Sequence, residues 1–130
     1  MKKRNGGQWT EARFRSFITS ALRQATQRWQ PKNECLKKAR VRRGWYKCNG
    51  CKKVVPASTF TTLKNGKRKK VKNALADHIK PIVDPKKGFV DWNTWIERAF
   101  IEEKGYQCLC YECHTKKTNK EKEIAKRRKK

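Results

Sequence analysis

Apolar side chains recur at helical spacing in three stretches of the chain and gather into short strand-like runs between them. Phe14, Phe17, Ile18, Ala21, Leu22, Ala25 and Trp29 fall at steps of three and four. They predict a helix from residue 11 to about residue 30, with Thr10 as its N-cap. Arg13, Arg15, Arg23 and Arg28 surround this stripe, as expected of an amphipathic helix packed on the domain; a helix laid along phosphates is the rival reading. Pro31 either ends that helix or opens a second one, over residues 32 to about 41, with Cys35, Leu36 and Ala39 on one side. Trp92, Trp95, Ile96, Ala99 and Phe100 predict a third, from 92 to about 104, capped by Asp91 and stopped by Gly105. A last helix is expected from near His114.

Between the helices the pattern changes to short β-prone runs. Trp45-Tyr46-Lys47, Val54-Val55-Pro56 and the stretch from Tyr106 to Leu109 read as strands. Residues 60–63 and 71–76 predict a hairpin closed by a type I′ turn at Asn65-Gly66. Lys67, Arg68, Lys69 and Lys70 would sit at its tip, within reach of a nucleic-acid backbone. Mixed short elements of both kinds give an α+β fold class.

Composition changes the picture in two ways. The chain has 130 residues, enough for one small domain, and only 35% are hydrophobic against 36% charged. Its core must be thin, so a bound metal is expected to supply stability that buried area cannot. Lys and Arg number 36 against 11 Asp and Glu, a formal charge of +25. Such a chain repels itself unless it lies on a polyanion, and DNA, expected to be double-stranded, is the natural partner. No run is long and apolar enough for a membrane, and Met-Lys-Lys-Arg is followed by Asn5-Gly6-Gly7-Gln8, not by an apolar signal segment. Residues 1–8 read as a flexible basic arm, 9–44 as a helical segment, 45–121 as the core and 122–130 as a basic tail whose Arg127 and Arg128 are candidate phosphate contacts.

The cysteines carry the chemistry. Cys48-Asn49-Gly50-Cys51 and Cys110-Tyr111-Glu112-Cys113 are two Cys-x-x-Cys pairs, each the spacing by which one tight turn presents two thiolates to a tetrahedral metal. Together they predict a closed structural zinc site. In the absence of a signal segment, metal binding in a reducing cytoplasm is favoured over disulfides. Cys35 is expected to be a small buried hydrophobe. The chain has only two histidines, His78 and His114.

Both histidines stand in motifs. Asp77-His78-Ile79-x-Pro81 and Leu109-Cys110-x-x-Cys113-His114-x-x-Lys117-Thr118-x-x-Glu121 resemble the signature of HNH endonucleases, in the form with two Cys-x-x-Cys pairs that is frequent in phages. Trp95-Ile96-Glu97-Arg98 and Arg28-Trp29-x-Pro31-Lys32 are similar to the same subgroup. The resemblance spans roughly residues 29 to 121. It implies a zinc-stapled ββα-metal fold with an added N-terminal helix and basic tail. It further implies His78 as general base, and Asp77 and His114 as ligands of a catalytic Mg²⁺ or Mn²⁺. DNA phosphodiester hydrolysis in an infected cell's cytoplasm is the activity it implies, with a phage packaging terminase as the partner. Where the family has a central asparagine this chain has Gly105, and Asn73 or Asn93 would have to replace it. His114 as an extra zinc ligand or a surface residue, and the whole chain as a non-catalytic zinc-stapled nucleic-acid-binding module, are the alternatives.

Overall fold

A computed structural model describes residues 3–128, and Met1, Lys2, Lys129 and Lys130 of the expected arm and tail lie outside them. Helix α1, Glu11–Thr26, starts where Thr10 Oγ1 accepts the Arg13 N–H at 3.2 Å. It ends before Trp29, whose extended backbone precedes α2, Gln30–Ala39. Pro31 therefore opens the second helix, at a position where its missing N–H costs nothing. Leu22 packs against the apolar cluster of Ile82, Trp95 and Ala99, and the Arg15 guanidinium lies 4.1 Å over the Phe89 ring. Of the predicted stripe, Leu22 thus touches the domain, while Phe17 and Ala21 are exposed.

Three small antiparallel sheets follow. Strands β1 (Arg40–Arg42), β2 (Trp45–Lys47) and β3 (Val54–Pro56) form one, in the order β1-β2-β3. Strand β4 (Ser58–Thr62) pairs with β5 (Arg68–Lys72), and β6 (Leu75–His78) pairs with β7 (Tyr106–Leu109). The expected hairpin therefore forms around Asn65-Gly66 but does not reach residue 76. Leu75 and Ala76 leave it to pair with Leu109 and Cys108. Its turn also differs from type I′, which needs two positive φ angles; only Gly66 (φ 84°) has one. Leu63 and Lys67 close a three-residue loop, with Gly66 N–H on Leu63 O at 2.9 Å and Leu63 N–H on Lys67 O at 2.8 Å. Arg68, Lys69 and Lys70 accordingly lie in β5 itself and only Lys67 belongs to the turn.

Helix α3, Trp92–Ala99, is shorter than its apolar periodicity suggests. Its last carbonyls are taken by side chains: Ala99 O accepts the Tyr106 hydroxyl at 2.9 Å and meets His78 Nε2 at 2.8 Å. Just beyond, Ile101 O accepts Trp29 Nε1–H at 2.6 Å. A helix end satisfied this way has no need of further turns. Gly105 closes instead a 3₁₀ turn over Glu103–Gly105.

Helix α4, Tyr111–Arg128, runs to the end of the described residues. The basic tail is thus helical as far as Arg128, whose guanidinium donates to Pro85 O at 2.9 Å and lies against Gly88. Arg127 is exposed. The β6–β7 ribbon sits between α2 and α4 and is the element that positions the site. Among the described residues, no helix is long and apolar enough to cross a membrane.

Candidate metal centre and carboxylate–imidazole cluster

The two Cys-x-x-Cys pairs meet. The Sγ atoms of Cys48, Cys51, Cys110 and Cys113 all lie within 4.8 Å of one another. Four sulfurs on a tetrahedral zinc at about 2.3 Å stand about 3.8 Å apart, so the cluster could close on such an ion with small side-chain movements. Local sequence builds each half. In the first, Lys52 takes a positive φ of 65° and its N–H returns to Cys48 O at 2.9 Å. Gly50 fits closely there: a Cβ would stand 3.0 Å from Cys113 Sγ, and that side chain would have to give by a few tenths of an ångström. Asn49 N–H donates to Cys108 O at 2.7 Å, joining the first knuckle to β7. Cys48 is 0% exposed and packs with Leu109 and Cys110.

The electrostatics of the cluster ask for a cation. Burial pushes the Cys48 thiol up, yet the N–H groups of Cys51, Cys110 and Gly50 outweigh it and bring the thiol down to about 6. Burial, joined by the neighbouring sulfurs, pushes Cys113 up to about 12, and burial also raises Cys110. One thiolate is favoured and the next are penalised by its charge. Only a positive ion lets all four ionise together.

Beside the knuckles, on the same face of the β6–β7 ribbon as Leu109, lies the second cluster. Side chains alternate along β6, so Asp77 faces α4 while His78 faces α2 and the end of α3. Asp77 Oδ1 stands 3.7 Å from His114 Nε2. Asp77 Oδ2 accepts from Gln107 Nε2 at 3.1 Å and pairs with the Lys117 ammonium at 2.9 Å. Gln107 Oε1 in turn accepts Asn49 Nδ2–H at 2.8 Å, which links the carboxylate to the first knuckle. Two ligand atoms bound about 2.1 Å from one cation at 90–120° are about 3.0–3.6 Å apart, so Oδ1 and Nε2 could share an ion. They are two donors only; water and a phosphate would fill the other positions, as magnesium accepts.

His78 is not brought into that pair. Its Nε2 meets Ala99 O at 2.8 Å and its ring centroid lies 4.7 Å from that of Tyr106. A carbonyl only accepts, so Nε2 carries the proton and Nδ1 holds the lone pair. Burial lowers the imidazole below its usual range, against the Ala99 bond, which raises it. The ring is therefore neutral at neutral pH, as a base must be.

Lys117 is the residue that the sequence left without a role. Its ammonium reaches Asp77 Oδ2, lies 3.1 Å from Glu121 Oε1 and donates to the backbone carbonyl of His78 at 2.8 Å. Burial works to lower its pKa, and the two carboxylates prevail and raise it. The spacing of 114, 117 and 121 along one helix face was the available signal. Two expectations about asparagine resolve differently. Asn73 is buried, its Oδ1 accepts the Tyr111 N–H at 2.9 Å and its own N–H donates to Ala57 O at 2.8 Å. Asn93 is exposed on α3. At Gly105 a Cβ would run into the Ile101 side chain, and the loop is held there by backbone instead, through Ile79 N–H on Gly105 O at 2.9 Å.

The chain matches no protein-family model, no curated protein and no solved structure with which it was compared. What stands is the class defined by fold and site: a small, strongly basic α+β protein with a four-cysteine cluster that could hold a metal such as zinc.

Proposed function

We propose that this protein is a metal-dependent DNA endonuclease of the HNH kind, stapled by a structural zinc at Cys48, Cys51, Cys110 and Cys113. The observation that carries the reading is the approach of Asp77 Oδ1 and His114 Nε2 to 3.7 Å from positions far apart in the chain. A Mg²⁺ or Mn²⁺ held by these two would neutralise a scissile phosphate and favour departure of the 3′ or 5′ oxygen. The chain's own residues do the rest. Asp77 is oriented by Gln107 and Lys117, and His114 is fixed in the first turn of α4 next to the staple. His78 is the base: with Nε2–H committed to Ala99 O, its Nδ1 accepts the proton of the attacking water. The charge of +25 supports a polyanionic substrate.

One observation favours a second reading, the non-catalytic nucleic-acid-binding module. Lys117 already balances Asp77, and the His78 ring lies on the opposite face of the ribbon from His114. The deciding experiment is incubation of supercoiled plasmid with the zinc-loaded protein, with and without added Mg²⁺ or Mn²⁺. Relaxation or linearisation that needs the added ion is expected. Intact plasmid bound at low salt, across several divalent ions, would establish the binding module.

A further inference from the structure

We infer that the β4–β5 hairpin is a groove-reading ribbon for duplex DNA, with Phe60 at its centre. The inference rests on the DNA-directed part of the proposed function and not on cleavage. Antiparallel partners share a face, and the register pairs Ser58 with Lys72, Phe60 with Lys70 and Thr62 with Arg68. These six side chains form one surface. Phe60 on it is 55% exposed, and Thr62, Arg68, Lys70 and Lys72 are exposed as well. On the opposite face Thr59, Thr61 and Val71 are half-buried and Lys69 is exposed. The ribbon thus turns its largest apolar side chain outward, among three cations, and keeps its small β-prone residues inward. That is the reverse of what a hairpin needs for its own stability.

Three further features fit DNA. The Arg68 guanidinium lies 4.6 Å from the Phe60 ring centroid, which holds the two side by side on this face. A two-stranded ribbon fits the B-form major groove, about 12 Å wide, where Arg recognises guanine edges and an apolar group meets the thymine methyl. The ribbon is also fixed in direction. Asn73, directly after β5, bonds Ala57 at the ribbon's base and the first N–H of α4. An open groove between ribbon and helix is lined by Thr59, Phe60, Asn73, Tyr111, Glu112 and Lys116. A duplex on the ribbon would lie along the start of the helix that carries His114. Duplex RNA is excluded by shape, because its major groove is too deep and narrow for side chains to read. An acidic protein partner would also meet the cations, and it is one of the outcomes that the test separates.

The test is fluorescence anisotropy of zinc-loaded full-length protein with a labelled 30-base-pair DNA duplex, without added Mg²⁺ or Mn²⁺. Phe60→Ala is expected to weaken binding about tenfold, as loss of one good base contact does. The triple variant Arg68→Ala, Lys70→Ala, Lys72→Ala should lower the slope of log affinity against log salt by about 2 to 3. Methyl green, a major-groove ligand, should displace the wild type while netropsin, a minor-groove ligand, should not; this arm needs no variant and holds even if one misfolds. Equal affinity for duplex RNA of the same sequence, or displacement by netropsin alone, overturns the inference. So do unchanged affinity and salt slope in both variants, while wild-type binding would leave the DNA reading standing. Failure of the wild type to bind any DNA overturns both, and binding to an acidic polypeptide in its place would assign the ribbon to a protein partner. Tight, ribbon-dependent binding without cleavage on later addition of Mg²⁺ or Mn²⁺ supports the ribbon and removes the nuclease.

Discussion

The molecule contains two ribbons of nearly equal size that are built on opposite plans. Both are two-stranded and antiparallel, five residues a side in β4–β5 and four in β6–β7. In β6–β7, both faces are covered: Ala76, His78, Tyr106 and Cys108 look towards α2, and Leu75, Asp77, Gln107 and Leu109 look towards α4 and the knuckles. Tyr106, Cys108 and Leu109 are buried. In β4–β5, one face is bare and the other half covered. A lone hairpin is marginal in water. The second ribbon is kept by its Gly66 turn and the Asn73 clamp at its root, and the first by packing and the thiolate cluster. Polar chemistry has collected on the ribbon that can hold a geometry, and exposed positive charge on the one that can meet a partner.

The contrast breaks most completely at the cysteines. Cys48→Ser or Cys113→Ser should abolish zinc binding and unfold the β6–β7 region, since structural zinc contributes on the order of 10 kcal/mol to such folds. Metal analysis with near-UV circular dichroism checks this; a folded, zinc-free wild-type protein would remove the staple from the account. Next in size is the carboxylate–imidazole cluster. His78→Ala should fold, bind DNA and cleave at least ~100-fold more slowly. His114→Ala should lose cleavage through the ion, so that excess Mn²⁺ restores part of it and restores none to His78→Ala. Wild-type plasmid relaxation by the His78 variant would end that residue's assignment.

Lys117→Met sharpens the comparison from within the covered ribbon. It leaves Asp77 and the His78 carbonyl without their shared donor, and should cost about 2 kcal/mol in urea unfolding. A merely structural lysine would shift stability alone; a positioning one also shifts the acid limb of the cleavage profile, because the His78 backbone is no longer held. The pH dependence of stability follows from the same histidine. Its folded pKa lies below the unfolded value of ~6.5, so its stabilising contribution is full above that value and is lost as pH falls through the folded pKa. His78→Gln should flatten this part of the stability curve below pH ~6.5. The smallest effect belongs to the bare ribbon. Phe60→Ala should change unfolding free energy by no more than about 0.5 kcal/mol, and β4–β5 amides should exchange hydrogen well before those of β6–β7.

The same contrast shows which parts of the structure were legible beforehand. Strands at Trp45–Lys47, Val54–Pro56 and Tyr106–Leu109 were readable because a knuckle turn or a glycine fixes one end of each. The gathering of four sulfurs was readable because Cys-x-x-Cys spacing is itself a local geometry. The partner of residues 75–76 was not. Alternation marks a strand but says nothing of its mate, and the nearer, local hairpin was the expectation; the actual mate lies across the whole of α3. The end of α3 was hidden for a related reason, since Tyr106 and His78 reach its last carbonyl from elsewhere. Lys117 looked like one lysine among many. Of its three acceptors, Glu121 is in view four residues along α4, but Asp77 and the His78 carbonyl belong to β6, and no pattern along α4 reveals those.

Asn73 has a mechanical consequence. It is a buried residue that joins the root of the bare ribbon to the start of α4, through one backbone bond to Ala57 and one amide bond to Tyr111. Ribbon and helix are therefore tied at one corner, like the two arms of a set-square. On the proposed reading, a duplex seated on one arm would meet the other at a constant offset, and breaks would fall at a set number of base pairs from the docking position whatever the sequence. Asn73→Ala would loosen the corner, and high-resolution mapping of the cut ends would then record a spread of distances where the wild type leaves a single one.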